Sequence, residues 1–537
     1  MAGKQFDRIF EAPAVQNWDT EEHSWSPLVR AQLTKMGMDS LRPNQLPAIN
    51  AAMAKCDIFL RMATGQGKTL CFILPAAITS GLTVVVTPLI ALMRNHNDSV
   101  RKMHVWSEYI CSDEREKSKG VIDRVRAKDS RVKVLFVSAE RIEQDEFMKV
   151  LVALNKAGKL ARIVVDEAHC ITQWGHDFRP AYKQALSDLR AKFSDMPFTA
   201  VTATANNVAM TDIKEILGFT KSPRLVQILA SANRPNLFYS IKHKTSLYQV
   251  ACDIYERMKV LNLVGKTGIV YCFSRADTEE MAELLNNQHR KHTSPDTTLA
   301  IHYHAKINNR QEVEEKWING VVPVVCSTTA FGMGIDKREV RFVYHATLPQ
   351  SIEAYFQESG RGGRDGKHAD CLLFFTHDDV GKIQFLLQKN TAPGEQSAAA
   401  DKLEALRKMT SYCDNHVQCR RKTMLTYLNE TFDEQECNAM CDVCRKKRVG
   451  KQPTEQRSQP LFIQLTLLQS IKRVGALSAA GHNIPKMFKL GKYEDLDDTV
   501  NIKHHNNNNN NNNTNNNNAS NNNNNKQVIE VDVNDED

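Results

Sequence analysis

Short apolar runs rich in β-branched residues alternate with longer amphipathic stretches from about residue 40 to residue 395. Runs of this length and composition are typical of buried parallel strands, and the stretches between them are long enough for crossover helices. The pattern therefore predicts an α/β fold. The first series of runs lies at 57–62, 83–88, 133–138, 162–167 and 198–204.

The same alternation begins again after a turn-rich stretch at residues 221–241, which we interpret as a connector. Two α/β units in tandem are the simplest account of this restart. We place the first unit at 26–225 and the second at 226–395. An N-terminal extension at 1–25, which is polar with scattered aromatic residues, precedes them. The second series of runs lies at 267–274, 299–304, 323–328, 341–346 and 371–376.

The pattern changes in the C-terminal part of the chain. We place a separate subdomain at 396–450, whose segment 401–448 is mostly helical by periodicity, whereas 451–505 hold one good amphipathic stretch, at 461–474. Seventeen of the residues 506–525 are Asn, and the chain ends in the acidic VIEVDVNDED. An Asn tract cannot bury a core, so we expect a disordered tail over 506–537.

Composition narrows the class of protein. A chain of 537 residues exceeds one typical domain, and its 42% hydrophobic and 25% charged residues are ordinary for globular protein. The net charge of +8 permits nucleic-acid binding without establishing it. No apolar run approaches the roughly 18 residues of a membrane span, and no signal peptide is evident, so we expect an intracellular protein without a membrane partner.

A phosphate-binding loop is indicated by 63-ATGQGKT-69, between a strand-like and a helix-like run. Gly65 and Gly67 would let backbone N–H groups approach phosphates. Lys68 would reach the β- and γ-phosphates, and Thr69 would ligate Mg²⁺. The alternative is an ordinary Gly-rich turn, which the Lys-Thr pair in this context disfavours.

Asp166 and Glu167 follow a strand-like run and carry a second element of nucleotide chemistry. Asp166 would hold Mg²⁺ and Glu167 would orient the attacking water. Alone, such a pair is more often a solvated acidic turn at a strand end. The hydroxyls of 202-TATA-205 would bridge this site to the second unit, although Thr-Ala pairs at strand ends usually only pack.

In the second unit, 357-QESGRGGRDG-366 places Arg361 and Arg364 three residues apart. Both would reach across a cleft to the γ-phosphate as arginine fingers supplied in cis. The alternative is a basic surface turn. Upstream, 326-CSTTAFGMGID-336 is a strand-to-loop turn that would contact phosphate and sugar, or would simply be a flexible interdomain turn.

Five of the 13 cysteines crowd into residues 413–444. Cys419, Cys437, Cys441 and Cys444 give the spacing C-x17-C-x3-C-x2-C, which predicts a tetrahedral Zn²⁺ site. Cys413 is the spare, and the choice between Cys413 and Cys419 as first ligand stays open from spacing alone. Free core cysteines are a poor alternative for four residues so close together.

The loop 173-QWGHDFRP-180 combines aromatic and polar residues a few positions after the acidic pair. Gln173, Trp174, His176, Phe178 and Arg179 would grip unstacked bases and phosphates, since stacking contributes about 1–3 kcal/mol per base. Buried aromatics need no ligand, which is the alternative. Loops, however, rarely bury two aromatic side chains without cause.

Taken in order, these motifs resemble the RecQ family of superfamily-two DNA helicases, and the resemblance covers residues 25–448. The opening motif appears as 41-LRPNQ-45, while 231-SANRPNLFY-239 and 330-AFGMGIDK-337 are close to diagnostic. The cysteine spacing is similar to that of the shorter eukaryotic RecQ proteins.

The resemblance implies two RecA-like lobes followed by a helical zinc-binding subdomain. It implies ATP, Mg²⁺ and Zn²⁺ as cofactors, with Arg42 and Gln45 on the adenine and Thr64 in the phosphate loop. It further implies 3′-to-5′ movement on single-stranded DNA, unwinding of forked or branched duplexes in recombination, replication and repair, and a nuclear location. Repair or replication proteins would be partners.

The chain departs from the family pattern at Ala139, Ala232 and Gly362, where Pro, Phe and Ala are usual, and none of these removes a reacting group. Residues 451–505 are expected to be an abbreviated winged-helix-like segment. That expectation keeps open a DNA-stimulated ATPase or strand-annealing factor with weak unwinding. An RNA-remodelling helicase and a purely structural nucleic-acid-binding protein are further alternatives.

Overall fold

The computed structural model describes residues 18–20, 23–88, 90–111, 115–127, 130–172, 180–331, 337–389 and 396–450. Its first sheet has seven strands in the order β3-β4-β2-β5-β6-β1-β7, and all of its described strand pairs are parallel. The strands are β1 Asp57–Arg61, β2 Leu82–Thr87, β3 Ser107–Ile110, β4 Val134–Ser138, β5 Leu160–Val165, β6 Phe198–Thr202 and β7 Leu225–Leu229.

A second parallel sheet follows, with six strands in the order β10-β11-β9-β12-β13-β8. Its strands are β8 Leu237–His243, β9 Gly268–Tyr271, β10 Ala300–Tyr303, β11 Val324–Ser327, β12 Phe342–His345 and β13 Ala369–Phe375. The two sheets are the tandem α/β units that the sequence predicts, so the fold class is confirmed.

Helices cross between the strands of each sheet. Those of the first lobe are α1 Ser26–Lys35, α2 Gln45–Met53, α3 Leu70–Ile78, α4 Ile90–Lys102, α5 Arg115–Arg126, α6 Ala139–Ile142, α7 Asp145–Lys156, α8 Pro180–Lys192 and α9 Asn207–Ile216. Those of the second lobe are α10 Leu247–Val260, α11 Arg275–Arg290, α12 Arg310–Ile318, α13 Ile352–Ser359 and α14 His377–Lys389. The last three are α15 Gln396–Asp414, α16 Arg420–Tyr427 and α17 Asp442–Arg448.

Each sheet separates two hydrophobic cores, which explains the continuous apolar runs. In β2, Val84 and Val86 face one core while Val85 faces the other. In β9, Ile269 and Val270 likewise belong to different cores. Because both faces are covered, successive residues of a strand are all buried, and alternation of polar and apolar residues disappears.

The sequence-based interpretation was wrong about the connector at 221–241. This stretch contains β7, which pairs with β1, and most of β8, which pairs with β13, so the connector between the lobes is only 230–236. The first lobe therefore extends to Leu229, four residues past the expected boundary at 225. Strand β3 was also missed, because Ser107–Ile110 holds only two apolar side chains.

The helical segment 396–450 packs on the second lobe and continues its core. Leu406, Met409 and Tyr412 of α15 are buried together with Tyr355 of α13. The backbone N–H of Tyr239 donates to the carbonyl of Met440 (3.2 Å), which attaches the segment to β8. The segment therefore forms a small helical subdomain fused to the second sheet.

The described part of the N-terminal extension lies on α2. Trp25 Nε1 donates to Asn50 Oδ1 (2.9 Å), and Asn50 Nδ2 donates to the carbonyls of Trp18 and Thr20, each at 3.0 Å. Nowhere in the described part of the chain does a helix combine the length and hydrophobicity that a membrane span needs. Residues 451–505 and the Asn-rich tail lie outside the described residues.

Candidate nucleotide-binding and zinc-binding sites

The predicted phosphate loop joins β1 to the N-terminus of α3, where free backbone N–H groups favour anions. Gly65 and Gly67 adopt φ values of +84° and +85°, which side chains rarely tolerate. Lys68 Nζ donates to the carbonyl of Met62 (3.1 Å), and Thr69 is the N-cap residue of α3. Burial lowers the pKa of Lys68, an effect that the carboxylates of Glu167 and Asp166 oppose.

Arg42 and Gln45, which the resemblance assigns to adenine, lie directly against this loop. Arg42 Nη1 donates to the carbonyl of Gly65, and Gln45 Nε2 donates to that of Gly67 (3.0 Å). A Cβ at position 67 would lie 2.4 Å from Gln45 Nε2, and the φ of +85° there also disfavours a side chain. The loop and the opening motif therefore form one continuous surface.

Asp166 lies at the carboxyl end of β5, beside the phosphate loop. Its backbone N–H donates to the carbonyl of Val86 (3.0 Å), and Tyr182 Oη donates to its carbonyl (2.6 Å). His96 Nδ1 of α4 lies 3.3 Å from Asp166 Oδ2. Burial raises the pKa of Asp166 to about 6, although His96 favours its charged form. Sequence reasoning missed His96, because a single histidine in an amphipathic helix carries no signal.

Glu167 adopts a left-handed backbone conformation (φ 47°, ψ 48°), which is uncommon for a residue with a side chain. Its Oε2 lies 3.4 Å from His169 Nδ1, which is also 3.2 Å from Thr202 Oγ1. From the second lobe, Gln357 Nε2 donates to His169 Nε2 (3.3 Å) and to Thr204 Oγ1 (2.9 Å). The threonines therefore bridge the acidic pair to the second lobe, as the sequence predicts.

The two arginines of the second lobe occupy different places. Arg364 lies against the phosphate loop, since a Cβ at Gly65 would be 3.1 Å from Arg364 Cγ. Arg361 lies beside Tyr271, and it opposes the burial that raises the pKa of Tyr271 to about 12. Arg364 thus lies at the phosphate loop, whereas Arg361 lies near Tyr271 of β9.

Arg234 is a second side chain that sequence reasoning left without a role. It is buried in the connector, and its guanidinium donates to the carbonyls of Thr64 (2.8 Å), Gly360 (3.0 Å) and Gly362 (2.8 Å). One residue therefore ties the phosphate loop to the arginine-bearing turn of the other lobe. The motif 231-SANRPNLFY-239 was noted in the sequence, but its arginine was not singled out.

The four cysteines of the predicted zinc set come together between α16 and α17. The Sγ atoms of Cys419, Cys437, Cys441 and Cys444 all lie within 4.8 Å of one another. Hydrogen bonds from Cys419 and Cys437 lower the pKa of Cys441, which favours a thiolate there. Cys413 is buried elsewhere in the core and is not part of this group. Four sulfurs at this spacing fit tetrahedral zinc.

The cysteine-bearing subdomain also forms hydrogen bonds with the connector between the lobes. Arg421 donates to Asn233 Oδ1, to the carbonyl of Arg234 and to that of Leu237, each at 2.7 Å. Glu430 accepts from the backbone N–H of Ala232 (2.8 Å). The fold of this subdomain therefore determines the path of the connector that carries Arg234.

The aromatic loop, with Gln173, Trp174, His176, Phe178 and Arg179, lies outside the described residues, as do residues 332–336. The flanks of the aromatic loop are described. It follows the 3₁₀ turn Ala168–Ile171, which holds His169, and it precedes α8. In sequence, the aromatic loop therefore comes directly after the turn whose His169 contacts both Glu167 and Gln357.

Three family models match this architecture in the order of the chain. The DEAD/DEAH box helicase model matches residues 42–212, the helicase conserved C-terminal domain model matches 249–366, and the RecQ zinc-binding model matches 377–445. The chain belongs to the RecQ family. The suspected family is thereby confirmed, and the RecQ zinc-binding match identifies the four-cysteine cluster as the family's zinc site.

Curated relatives of this RecQ chain include the ATP-dependent DNA helicase hus2/rqh1 of Schizosaccharomyces pombe. The two are 38% identical over 431 residues, which are 79% of this chain and 31% of the relative. ATP-dependent DNA helicase Q1 of Rattus norvegicus is 37% identical over 439 residues, which are 80% of this chain and 66% of that one. The chain thus spans about a third of the first relative's length and less than two thirds of several others.

Solved structures agree on the fold of the RecQ chain. The Mycobacterium smegmatis helicase Lhr, bound to ssDNA and AMP-PNP, matches with a TM-score of 0.52 at 19% identity, over 80% of this chain and 56% of that one. Mss116p, bound to ssRNA and AMP-PNP, matches with a TM-score of 0.52 at 15% identity, over 80% and 92% of the two chains. At under 20% identity, both likenesses concern the fold alone.

Proposed function

We propose that this chain is an ATP-dependent DNA helicase that moves 3′ to 5′ along single-stranded DNA. It would unwind duplex or branched DNA in recombination, replication and repair, and would act in the nucleus. The observation that carries the proposal is the contact of Arg234 and Arg364 with the phosphate loop of the other lobe. A nucleotide there touches both lobes, so its hydrolysis changes how they fit together.

We propose ATP as the nucleotide. Lys68 would contact its β- and γ-phosphates, and Arg42 and Gln45 would hold the adenine. The hydroxyl of Thr69 and the buried carboxylate of Asp166 are oxygen donors, the class that Mg²⁺ prefers, and Mg²⁺ would neutralise phosphate charge. Thr64, Gly65 and Gly67 would present their backbone to the phosphates.

Glu167 is proposed to orient the attacking water. Its contact with His169, and the contact of His169 with Gln357, make its orientation sensitive to the fit of the two lobes. Arg364, beside Gly65, would stabilise charge on the transferring phosphoryl group, and Arg361 would join it when the cleft closes. Hydrolysis would therefore occur fastest in the closed state.

DNA is proposed to be sensed by the aromatic loop. We expect Trp174→Ala to retain the low basal rate of ATP hydrolysis but to lose most of its stimulation by single-stranded DNA. Removal of one stacking platform weakens DNA binding by about 1–3 kcal/mol, a 5- to 150-fold change. Steady-state hydrolysis at increasing concentrations of oligonucleotide measures it.

Trp106→Ala is the matched control, since this half-exposed tryptophan of the first lobe lies outside both the aromatic loop and the phosphate loop in sequence. It should leave the stimulation of ATP hydrolysis by single-stranded DNA unchanged. Saturating DNA distinguishes two effects of Trp174→Ala: a rate restored at high DNA indicates binding alone, whereas a rate that stays low indicates coupling. Full stimulation at low DNA would remove the loop from the mechanism.

The proposed function is tested with two labelled duplexes that differ only in carrying a 3′ or a 5′ single-stranded tail. We expect ATP to release the strand from the 3′-tailed duplex and not from the 5′-tailed one, with no release on a non-hydrolysable analogue. Hydrolysis without release from either duplex would instead identify a DNA-stimulated ATPase, and stimulation by RNA but not by DNA would identify an RNA helicase.

A further inference from the structure

A second group of metal-ligating side chains lies in the second lobe, apart from the nucleotide and cysteine sites. Glu279 belongs to α11, His302 to β10, and His304 follows the end of β10. One ligand atom from each of the three lies within 4.8 Å of the other two. Neither the proposed ATP chemistry nor the zinc site uses any of them.

The backbone brings these three side chains together. His302 and His304 are two residues apart on an extended segment, so both project from the same face. Their rings are nearly parallel, with centroids 5.8 Å apart and planes inclined by 21°. Helix α11 packs against the edge strand β10 and brings Glu279 to His304, and a capping box of Ser274 and Asp277 marks the start of the helix. Glu279 lies one turn into the helix.

The burial of the three residues is graded, as in a site that is open on one side. The His304 side chain is 8% exposed and that of Glu279 is 56% exposed, with His302 between them. His304 Nε2 lies 3.0 Å from Glu279 Oε1, and Nδ1 of His304 has no hydrogen-bond partner among the described residues. Glu279 is the partner of the His304 ring among the described residues, so a cation placed between Nε2 and Oε1 would meet a ligand atom of each residue.

We propose that Glu279, His302 and His304 bind a transition-metal ion of the Zn²⁺ class. Two imidazoles and one carboxylate are a donor set that suits zinc, nickel or copper, whereas Mg²⁺ and Ca²⁺ take mostly oxygen ligands. Three protein ligands leave the fourth position of a tetrahedral ion to water.

This site is exchangeable, unlike the cysteine site. Ligating histidines usually donate their second ring N–H to a partner, and loss of that partner weakens metal affinity by about 10- to 100-fold. His304 lacks such a partner among the described residues. The bound ion bridges α11 to the edge strand, so added zinc raises the thermal unfolding temperature of the second lobe by mass action.

The test uses the full chain without an affinity tag, with the cysteine site already loaded and loose metal removed. Calorimetric titration with Zn²⁺ should reveal one further equivalent, which His302→Ala and Glu279→Gln each weaken at least 10-fold. Both side chains are partly exposed, so both variants should fold. The control is the double variant His504→Ala, His505→Ala, which removes the chain's adjacent histidine pair and should leave that equivalent in place.

Titration with Co²⁺ identifies the ligands of the extra equivalent. Nitrogen and oxygen ligands give only weak visible bands, whereas thiolates add an intense charge-transfer band in the near ultraviolet. The proposal is overturned if His302→Ala titrates like the parent chain, if the double histidine variant removes the equivalent, or if the extra cobalt shows the thiolate band. The proposal is upheld if the extra cobalt gives weak visible bands without the thiolate band, and if His302→Ala abolishes those weak bands.

Discussion

Lys68→Ala is expected to slow ATP hydrolysis about 10²- to 10³-fold while leaving the chain folded. The Lys68 ammonium is the positive charge supplied by the phosphate loop. Burial lowers its pKa, and the carboxylates of Glu167 and Asp166 oppose that effect. Removal of one such preorganised group typically costs 10²–10³ in rate, about 2.7–4 kcal/mol of transition-state stabilisation. Steady-state phosphate release with and without single-stranded DNA measures the loss.

Lys35→Ala is the matched control, because this lysine is exposed in the last turn of α1 and has no part in the site. It should hydrolyse ATP at the parent rate. Thermal unfolding should be nearly the same for the parent and both variants, which separates a chemical effect from misfolding. DNA-stimulated hydrolysis that survives in Lys68→Ala would mean that the phosphate loop is not the catalytic site.

Cys441→Ser is expected to release the zinc ion and to unfold the helical subdomain. Zinc at a four-cysteine site supplies folding free energy directly, about 10–16 kcal/mol in small zinc-binding peptides. Cys441 is buried, and its Sγ lies 3.9 Å from Cys419 Sγ. The hydroxyl of serine cannot replace the cysteine thiolate as a zinc ligand. Zinc content per chain and the thermal unfolding temperature measure the effect, and both should fall.

Cys413→Ala serves as the control, since this thiol is equally buried but lies outside the cluster. It should retain one zinc ion per chain, although its core is slightly less well packed. If Cys441→Ser retained zinc and Cys413→Ala lost it, the ligand set would be wrong. Because Arg421 and Glu430 hold the connector, loss of the subdomain should also lower ATP hydrolysis through Arg234.

The order of strands and helices was predictable wherever both faces of a strand are buried. Ten apolar runs of the sequence are strands of the two sheets, with ends that differ by up to three residues. Three strands escaped notice: β3, which is short and half polar, and β7 and β8, which lie in a stretch rich in turn residues. Their partners in the sheets, rather than local pattern, hold them extended.

The candidate site was predictable where one short segment carries the chemistry. Residue type and spacing are enough to identify the loop 63–69, the pair Asp166–Glu167 and the four cysteines. His96, Arg234 and Gln357 do not, because each acts on a group far away in the sequence. Arg234 meets Thr64 across 170 residues, and Gln357 meets His169 across 188.

The residues alone establish which chemical groups this RecQ chain possesses, since strand burial and motif spacing are local properties of a chain. They do not establish which of these groups contact one another in the folded chain. The contacts of Arg234 and Arg364 with the phosphate loop, the hold of Arg421 on the connector, and the meeting of Glu279 with two histidines all depend on how helices and sheets pack. Packing free energy is distributed over the whole core, and no single segment of sequence contains it.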